Sequence, residues 1–233
     1  MKKFFLLLTL LCLSLSARAH NAEVDGIFYN LDIVNRTATV TFQGDDYYSY
    51  NNEYSGDVVI PEKVIYNGIT YSVTTLGDDC FSRCSSLTSI TIPNSVTSVG
   101  EYCFYGCSGL TSITIPNSVT SLGDCCFENC SSLTSIYMLP STPPSTGSNM
   151  FYNAPLETVY VVDEDAKTAY QAQAPWSEYE IVVMPTGIEE VETDKTTPTI
   201  VGYYYLNGKL INGKQRGAVI VRYSDGTTRK VLK

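Results

Sequence analysis

The sequence predicts a solenoid built from stacked repeats of 23 residues, each with one short parallel strand and a short helical or turn segment. The first observation is that residues 84–99 (CSSLTSITIPNSVTSV) and 107–122 (CSGLTSITIPNSVTSL) differ at only two of sixteen positions. The second is that Phe81, Phe104 and Phe127 recur at the same spacing. A unit this small cannot bury its own apolar face, so the units must stack on one another.

The composition supports a folded chain and argues against several functions. Hydrophobic residues make up 44% of the 233 residues and charged residues 17%, which is enough apolar material for a core. His20 is the only histidine, so catalytic triads, cysteine–histidine dyads and histidine metal clusters lack their parts. The formal net charge of −9 disfavours nucleic acid as a partner. We therefore expect a protein that is not an enzyme and that needs no cofactor or metal.

The first 19 residues are typical of a secretory signal peptide. A basic start at residues 1–3 is followed by an apolar run from Phe4 to Leu15, which is too short for a transmembrane helix. The motif Ala17-Arg18-Ala19 then predicts cleavage after Ala19. Lipid attachment at Cys12 is disfavoured, because a small residue is usual where Leu11 stands. We expect a secreted chain, or one held at the outer-membrane cell surface.

Within each repeat, the pattern of apolar residues predicts the local structure. The segment LTSITI alternates apolar and polar residues towards its end, as in a strand with one buried face, and Pro93 ends it. The segment 78–84 then predicts one or two helical turns with Cys80, Phe81 and Cys84 on the inner side. Looser units flank the three similar ones, at 59–77 and 151–161.

The remaining segments complete a predicted order of domains. The stretch 163–176 (DEDAKTAYQAQAPW) predicts a closing helix that buries Ala166 and Tyr170, with Trp176 covering the last core face. The predicted boundaries are a signal peptide at 1–19, an N-terminal β cap and first degenerate repeat at 20–76, a solenoid with its closing helix at 77–183, a linker at 184–199 and a basic β tail at 200–233.

The repeat pattern CFxxCxxLTSITIPxSVTSxG resembles the BspA-like leucine-rich repeats of bacterial secreted and surface proteins. The resemblance covers about residues 24–183. It implies a leucine-rich repeat solenoid that binds other molecules, as the adhesins and ligand-binding surface proteins of the family do, and it implies no shared catalytic site.

The cysteines allow more than one interpretation. Seven remain after the signal peptide, and six of them form CxxxC pairs in successive repeats. A buried ladder of small apolar side chains is the favoured interpretation. A disulfide between repeats, for example through Cys125, is the alternative, whereas zinc is disfavoured because no second type of ligand lies nearby.

Two acidic features also allow alternatives. Asp78, Glu101 and Asp124 share one register, which predicts that each carboxylate offsets the dipole at the start of a short helix, although a ladder of bound cations would use the same spacing. The segment 44–57 (GDDYYSYNNEYSGD) is typical of a mobile hairpin loop, and its composition would also suit a sugar or calcium site.

We predict that the outward face of the strands is the binding surface. Strand alternation places one set of side chains there: Ser89, Thr91, Ser112, Thr114, Ser135, Tyr137, Thr158 and Tyr160. The two tyrosines are the better candidates for recognition, because Tyr offers contact area at a low cost in conformational entropy. A plain solvated sheet face would show a similar pattern.

The tail differs from the body in charge. Residues 20–199 contain 5 basic and 23 acidic residues, whereas residues 200–233 contain 7 basic residues and only Asp225 as an acid. The tail resembles the C-terminal sorting modules of type IX secretion cargo at the following positions: Gly217, Val219, Val221, Arg222, Lys230, Val231, Leu232 and Lys233. This resemblance implies contact with the secretion machinery. The alternative is a small basic hairpin that packs on the acidic solenoid.

Together these features predict a non-catalytic exported protein that mediates adhesion or protein binding at the bacterial cell surface. The expected partner is an extracellular or host protein. The alternative is a structural or glycan-associated surface component with no discrete protein ligand.

Overall fold

The computed structural model describes residues 20–43 and 53–184, together with the backbone of three strands within 200–232. The elements follow in chain order: β1 (Ala22–Val24), β2 (Ile27–Asp32), β3 (Thr37–Thr41), β4 (Gly56–Val59), β5 (Lys63–Tyr66), β6 (Ile69–Leu76), β7 (Leu87–Thr91), β8 (Ser98–Val99), β9 (Ser112–Ile115), β10 (Ser121–Leu122), β11 (Ser135–Met138), β12 (Ser145–Thr146), β13 (Thr158–Val161), α1 (Glu164–Gln171), a 3-10 helix (Trp176–Glu178), β14 (Glu180–Val183), β15 (Ile200–Tyr205), β16 (Ala218–Tyr223) and β17 (Thr228–Leu232).

The strands predicted from LTSITI and from the corresponding segments of the flanking units form two parallel sheets. Strand β4 pairs with β7, and β9, β11, β13 and β14 form a parallel sheet of four strands. The register matches the period, since Ile113 aligns with Ile136 and Ile136 with Val159. These three side chains are buried, so each strand turns its branched apolar residues towards the core.

Each central repeat contains two strands, so the prediction of one strand per repeat is wrong. The segment SVTSV ends in a second short strand, and β6, β8, β10 and β12 pair in parallel. Val96 and Val99 point into the core, whereas Thr97 is exposed. Backbone N–H groups of Thr97 and Thr120 each donate to the preceding repeat, at 2.8 and 2.9 Å. The alternation of apolar and polar residues in SVTSV is the sequence pattern that could have predicted this strand.

The segment 78–84 is a turn and not a helix. Asp79 and Arg83 both have a positive φ, of 55° and 59°, which interrupts a right-handed helix. The N–H groups of Asp79 and Phe81 donate to carbonyl oxygens of the next repeat, at 2.9 and 2.8 Å, where helical bonds would lie within the segment. Hydrogen bonds between repeats therefore decide the conformation of this segment.

The same turns overturn the proposed role of the acidic register, because no helix begins there. The Oδ1 atom of Asp78 accepts the Glu101 N–H at 2.8 Å, one repeat further on. Asp124 likewise accepts from both the N–H and the hydroxyl of Ser148. These carboxylates join neighbouring repeats through hydrogen bonds to the backbone.

A column of glycines lets the repeats approach closely. A Cβ atom on Gly123 would lie 2.5 Å from the Glu101 nitrogen and 2.5 Å from the Gly100 carbonyl carbon. A Cβ atom on Gly100 would likewise lie too close to the backbone of the preceding repeat, at 2.6 Å from the Asp78 nitrogen. The sequence pattern indicated only a turn here, whereas the structure shows that the space for a side chain is missing.

Aromatic rings form the centre of the core. Phe81, Phe104 and Phe127 stack in parallel with centroids 5.3 Å apart, and the Phe127–Phe151 pair continues the stack at 5.6 Å. Trp176 packs on Phe151 edge-on at the C-terminal end and is fully buried. The looser unit at 151–161 thus occupies its predicted register.

The segments at both ends of the solenoid also contribute to its sheets and core. Strands β1 and β2 run antiparallel beside β3, which joins β6 in parallel. Helix α1 begins after Asp163, whose carboxylate accepts the Ala166 N–H, and it buries Ala166 and Tyr170. Strand β14 follows this helix and adds to the sheet, and Met184 after it is buried and bonds Val161. Met184 therefore belongs to the fold and not to the predicted linker.

The tail strands form a separate antiparallel sheet in the order β15, β16 and β17. Only their backbone is described. Within the part of the chain that the structure describes, no helix is long and apolar enough to span a membrane.

Candidate functional site

The predicted binding residues share one surface, which we call the strand face: the outward side chains of β4, β7, β9, β11, β13 and β14. Two rows cross it. In the first row, Ser112, Ser135 and Thr158 align, and Glu180 on β14 extends the row. Asp57 and Ser89 align at its other end, on β4 and β7. The sequence analysis did not identify Asp57 and Glu180 as members of this row. Extending the strand register by one strand in each direction would have placed both of them in it.

The second row is more varied in chemistry. Thr114, Tyr137 and Tyr160 align in register, and Val182 on β14 follows them. On the other side, Thr91 aligns with Val59, an apolar side chain that is 50% exposed. All eight predicted residues therefore point outward. They do not form one continuous sheet, because β7 pairs with β4 and β9 pairs with β11.

Tyr137 and Tyr160 form a stacked pair on this face. Their ring centroids lie 4.7 Å apart with an interplanar angle of 10°, which is the spacing of adjacent strands. Both side chains are half-buried. Each ring restricts the rotamers of the other, so the pair is ordered before any partner arrives.

The N-terminal end of the strand face has a fixed carboxylate. Asp57 Oδ1 accepts hydrogen bonds from the Ser89 hydroxyl at 2.7 Å and from the Thr88 hydroxyl at 3.2 Å. The two hydroxyls hold the carboxylate in one orientation across the junction between β4 and β7. The strand face thus has a carboxylate at each end, Asp57 and Glu180, and the tyrosine pair lies nearer to Glu180.

A second surface was missed by sequence reasoning. On the turns, Tyr102 and Tyr105 pack edge-on with centroids 5.9 Å apart, and Tyr152 two repeats further on is 60% exposed. Glu128 lies in the same register between Tyr105 and Tyr152, because backbone bonds join 106 to 128 and 129 to 152. The repeat period could have predicted this surface, because counting in steps of 23 residues from Ser82 reaches Tyr105 and Glu128.

The six cysteines of the CxxxC pairs are buried in the core, as the predicted ladder requires. All seven in the described residues are free thiols. The Sγ atoms of Cys107 and Cys130 donate to the carbonyl oxygens of Phe81 and Phe104, at 3.1 and 3.0 Å. Burial raises the pKa of the Cys84 and Cys130 thiols to about 12, so both stay protonated at neutral pH.

Cys125 does not have the surroundings suggested for a disulfide between repeats. It contacts Tyr102 and Glu128, and its own backbone has a positive φ of 52°. Burial is the main cause that raises the pKa of its thiol. The neighbouring carboxylate and phenol make this a polar turn position and not part of the sulfur ladder.

The predictions for the loop at 44–57 and for the tail are described only in part. Residues 44–52 lie outside the described residues, whereas Tyr54 is buried and its hydroxyl donates to the Thr41 carbonyl at 2.7 Å. Of the sorting-like positions, Gly217 and Lys233 lie outside the described residues, and the others belong to the backbone of β16 and β17.

The described residues offer little for a metal or a small molecule. Among them, no group of three or more His, Cys, Asp or Glu side chains is placed to hold a metal ion. An open depression of about 530 Å³ lies between the segment 117–120, just before β10, and the segment 139–144. Catalysis would need opposed acids or a nucleophile with a base, and this depression presents neither.

The repeat geometry agrees with a comparison against protein families. The model of the BspA type leucine-rich repeat region matches residues 48–172 in six copies, which is more than half of the chain. The chain belongs to the BspA-type leucine-rich repeat family. The prediction made from CFxxCxxLTSITIP is thereby confirmed for the repeats.

Solved structures support the same fold. A leucine-rich repeat protein from Bacteroides ovatus is 29% identical with a TM-score of 0.53, over 71% of this chain and 42% of that one. A leucine-rich repeat protein from Bacteroides capillosus is 25% identical with a TM-score of 0.51, over 61% of this chain and 98% of that one. The chain therefore spans less than half the length of the first. No match was found among curated proteins.

Proposed function

We propose that this BspA-type protein is exported to the bacterial cell surface and binds an extracellular or host protein through the strand face. The observation that carries the proposal is the stacked pair of Tyr137 and Tyr160, which stands in a row where the two preceding repeats carry Thr91 and Thr114. Tyrosine is enriched at protein interfaces, because it combines a large contact area with a polar tip. Neither the family match nor the two solved structures names an enzymatic activity.

The charge of the body favours a basic partner. Among residues 20–43 and 53–184, four side chains are basic: Arg36, Lys63, Arg83 and Lys167. Acidic side chains are far more numerous there, and Asp57 and Glu180 lie at the two ends of the strand face. A partner with a basic surface would be attracted over a distance of about 8 Å at physiological salt, and an acidic partner would be repelled.

The size of the strand face predicts the strength of binding. Six strands spaced by about 4.8 Å extend for about 24 Å, and two or three outward residues per strand add a width of roughly 12 Å. The projected area is then roughly 300 Å², well below the 800 Å² or so that each partner buries in a stable complex. A single copy would bind weakly, and many copies on one surface would bind a multivalent partner with a much higher apparent affinity.

The test is a binding measurement on an array of extracellular proteins. The variant Tyr137→Thr with Tyr160→Thr gives both positions the residue that the other repeats carry, so the fold should be preserved. The matched control is Tyr152→Ser, an exposed tyrosine on the turns whose register position in the first repeat is Ser82. We expect saturable binding by the wild type and the control, and at least about tenfold weaker binding by the double variant.

Equal affinity of the double variant and the wild type would exclude the strand face as the site. Self-association without any saturable ligand would instead support the alternative of a structural surface component. Circular dichroism of each variant checks that the solenoid remains folded.

We also propose that the basic tail at 200–233 directs export by contacting the secretion machinery of the type IX pathway. Support comes from its resemblance to sorting modules and from its excess of basic residues. Intact mass spectrometry of the native protein from surface, medium and periplasmic fractions tests this. A surface form that lacks both the signal peptide and the tail is expected, and a chain from His20 to Lys233 retained in the periplasm would refute it.

A further inference from the structure

Two thiols from neighbouring repeats are in contact in the core. The Sγ atoms of Cys80 and Cys103 lie 3.4 Å apart, and both side chains are essentially inaccessible to solvent. The N–H of Phe81, the residue after Cys80, donates to the carbonyl oxygen of Cys103 at 2.8 Å. Backbone segments joined by such hydrogen bonds lie about 4.8 Å apart, which is within the Cα separation of about 4.4–6.8 Å found in disulfides.

The other core cysteines have different surroundings. In the second column, the thiols of Cys107 and Cys130 donate to backbone carbonyls of Phe81 and Phe104, which holds their sulfur atoms on the backbone of the preceding repeat. Cys126 follows Cys103 in the first column, but each sulfur can form only one disulfide. Among the described residues, the Cys80–Cys103 pair is the one in which two thiols meet with the distance and angles of a hydrogen bond.

We propose that Cys80 and Cys103 form a disulfide that links the first two repeats when the chain folds in the presence of a disulfide oxidant such as glutathione disulfide. One thiolate attacks the oxidant and releases a first thiol, and the other thiolate attacks the mixed disulfide and releases a second. One S–S bond forms in the protein as one in the oxidant is reduced, and the two protons pass to the released thiols. Closing the sulfur distance to about 2.05 Å needs a shift of roughly 0.7 Å per side chain.

The position of the pair also predicts when it reacts. Burial raises the pKa of the Cys103 thiol well above its usual value, so the reactive thiolate is scarce once the repeats have packed. The bond should therefore form while the first two repeats are still assembling, and a folded reduced chain should react slowly. Once the Cys80–Cys103 bond has formed, Cys126 stays reduced, because Cys103, its neighbour in the column, is already used.

The test is to refold the reduced chain with glutathione and glutathione disulfide, alkylate the free thiols and digest with trypsin. Trypsin cuts after Lys63 and Arg83, so the peptide 64–83 contains Cys80 as its sole cysteine. We expect this peptide to be joined to peptide 84–167, and the intact chain to be about 2 Da lighter than the reduced one. We also expect a higher urea midpoint for the oxidised chain than for the reduced one.

Alanine variants assign the second partner. Cys103→Ala should abolish the link, and Cys126→Ala, in the same buried column, should keep it. Recovery of the 64–83 peptide fully alkylated from the wild type would overturn the proposal without reference to any variant. A link that persists in Cys103→Ala would overturn the assignment of this pair.

Discussion

The close approach of repeats at Gly123 leads to a prediction that separates steric from conformational effects. The backbone at Gly123 has an ordinary φ, so alanine is allowed there and would by itself stabilise the chain by about 0.4–1 kcal/mol through the unfolded state. The new Cβ, however, would lie 2.5 Å from the Glu101 nitrogen, against about 3.4 Å for ordinary contact. We therefore expect Gly123→Ala to destabilise the solenoid.

The size of the effect follows from the distances. Relieving the contact requires the repeats to separate by about 0.9 Å, which would stretch the Gly123 N–H bond to the Val99 carbonyl from 2.9 Å to about 3.8 Å and break it. The adjacent pairing of Leu122 with Val99 would weaken with it. Two or three backbone bonds at about 1 kcal/mol each, less the gain in the unfolded state, give a net loss of about 2 kcal/mol.

Urea unfolding followed by far-UV circular dichroism and by the fluorescence of Trp176 measures this loss. The control is Gly106→Ala, where the neighbouring atoms of Arg83 would lie 3.8 Å from the new Cβ. An alanine at position 106 would adopt the positive φ of 67°, which costs about 1 kcal/mol. A side chain fits at this register position, because other repeats carry Arg83 and Asn129 there. If Gly123→Ala proved as stable as the wild type, or lost no more stability than Gly106→Ala, the close-packing argument would be refuted.

Three further substitutions test other features of the fold. Burial, and then Asp78, raises the pKa of Asp79 to about 6, so the folded state favours the neutral acid and loses stability as the pH rises through 6. Asp79→Asn should raise the free energy of unfolding by about 1 kcal/mol at pH 8 and by almost nothing at pH 4; the gain at pH 8 is small because Asp79 is half exposed. Urea midpoints measured at the two pH values check this. Phe104→Ala removes a ring stacked on both sides and should cost about 3–5 kcal/mol, whereas a loss under 1 kcal/mol in the same assay would contradict a stacked core. Asp124→Ala removes the acceptor for Ser148 and should lower the free energy of unfolding by about 1–2 kcal/mol. Asp124→Asn keeps an acceptor and should cost less, which thermal unfolding of the two variants would measure.

The 23-residue period by itself predicted much of the structure. Identical spacing of Phe, Cys and Leu requires each repeat to present the same face to its neighbour, so the stacked rings and the buried cysteine columns followed from the pattern. Strand alternation in LTSITI and in the corresponding segments LTSIYM and LETVYV likewise placed the eight polar side chains on the outer side of the strands, because side chains change sides at every residue of a strand.

Contacts between repeats decided the features that the pattern could not predict. The segment 78–84 has helical spacing, yet the N–H groups of Asp79, Phe81 and Arg83 donate to the next repeat, and two of these residues adopt a positive φ. Such bonds exist only once the repeats are stacked. For the same reason Asp78 and Asp124 bond the following repeat where a helix start was expected.

The meeting of particular atoms depended on the tertiary structure as well. The sequence showed two cysteine columns but could not show that Cys80 and Cys103 face each other while Cys107 and Cys130 bond carbonyl groups. It also placed Tyr137 and Tyr160 in one row without showing that their rings stack. Period and alternation determine which residues share a column or a face. The packing of one repeat on the next determines the rotamers, and with them the contacts that bind, bond or repel.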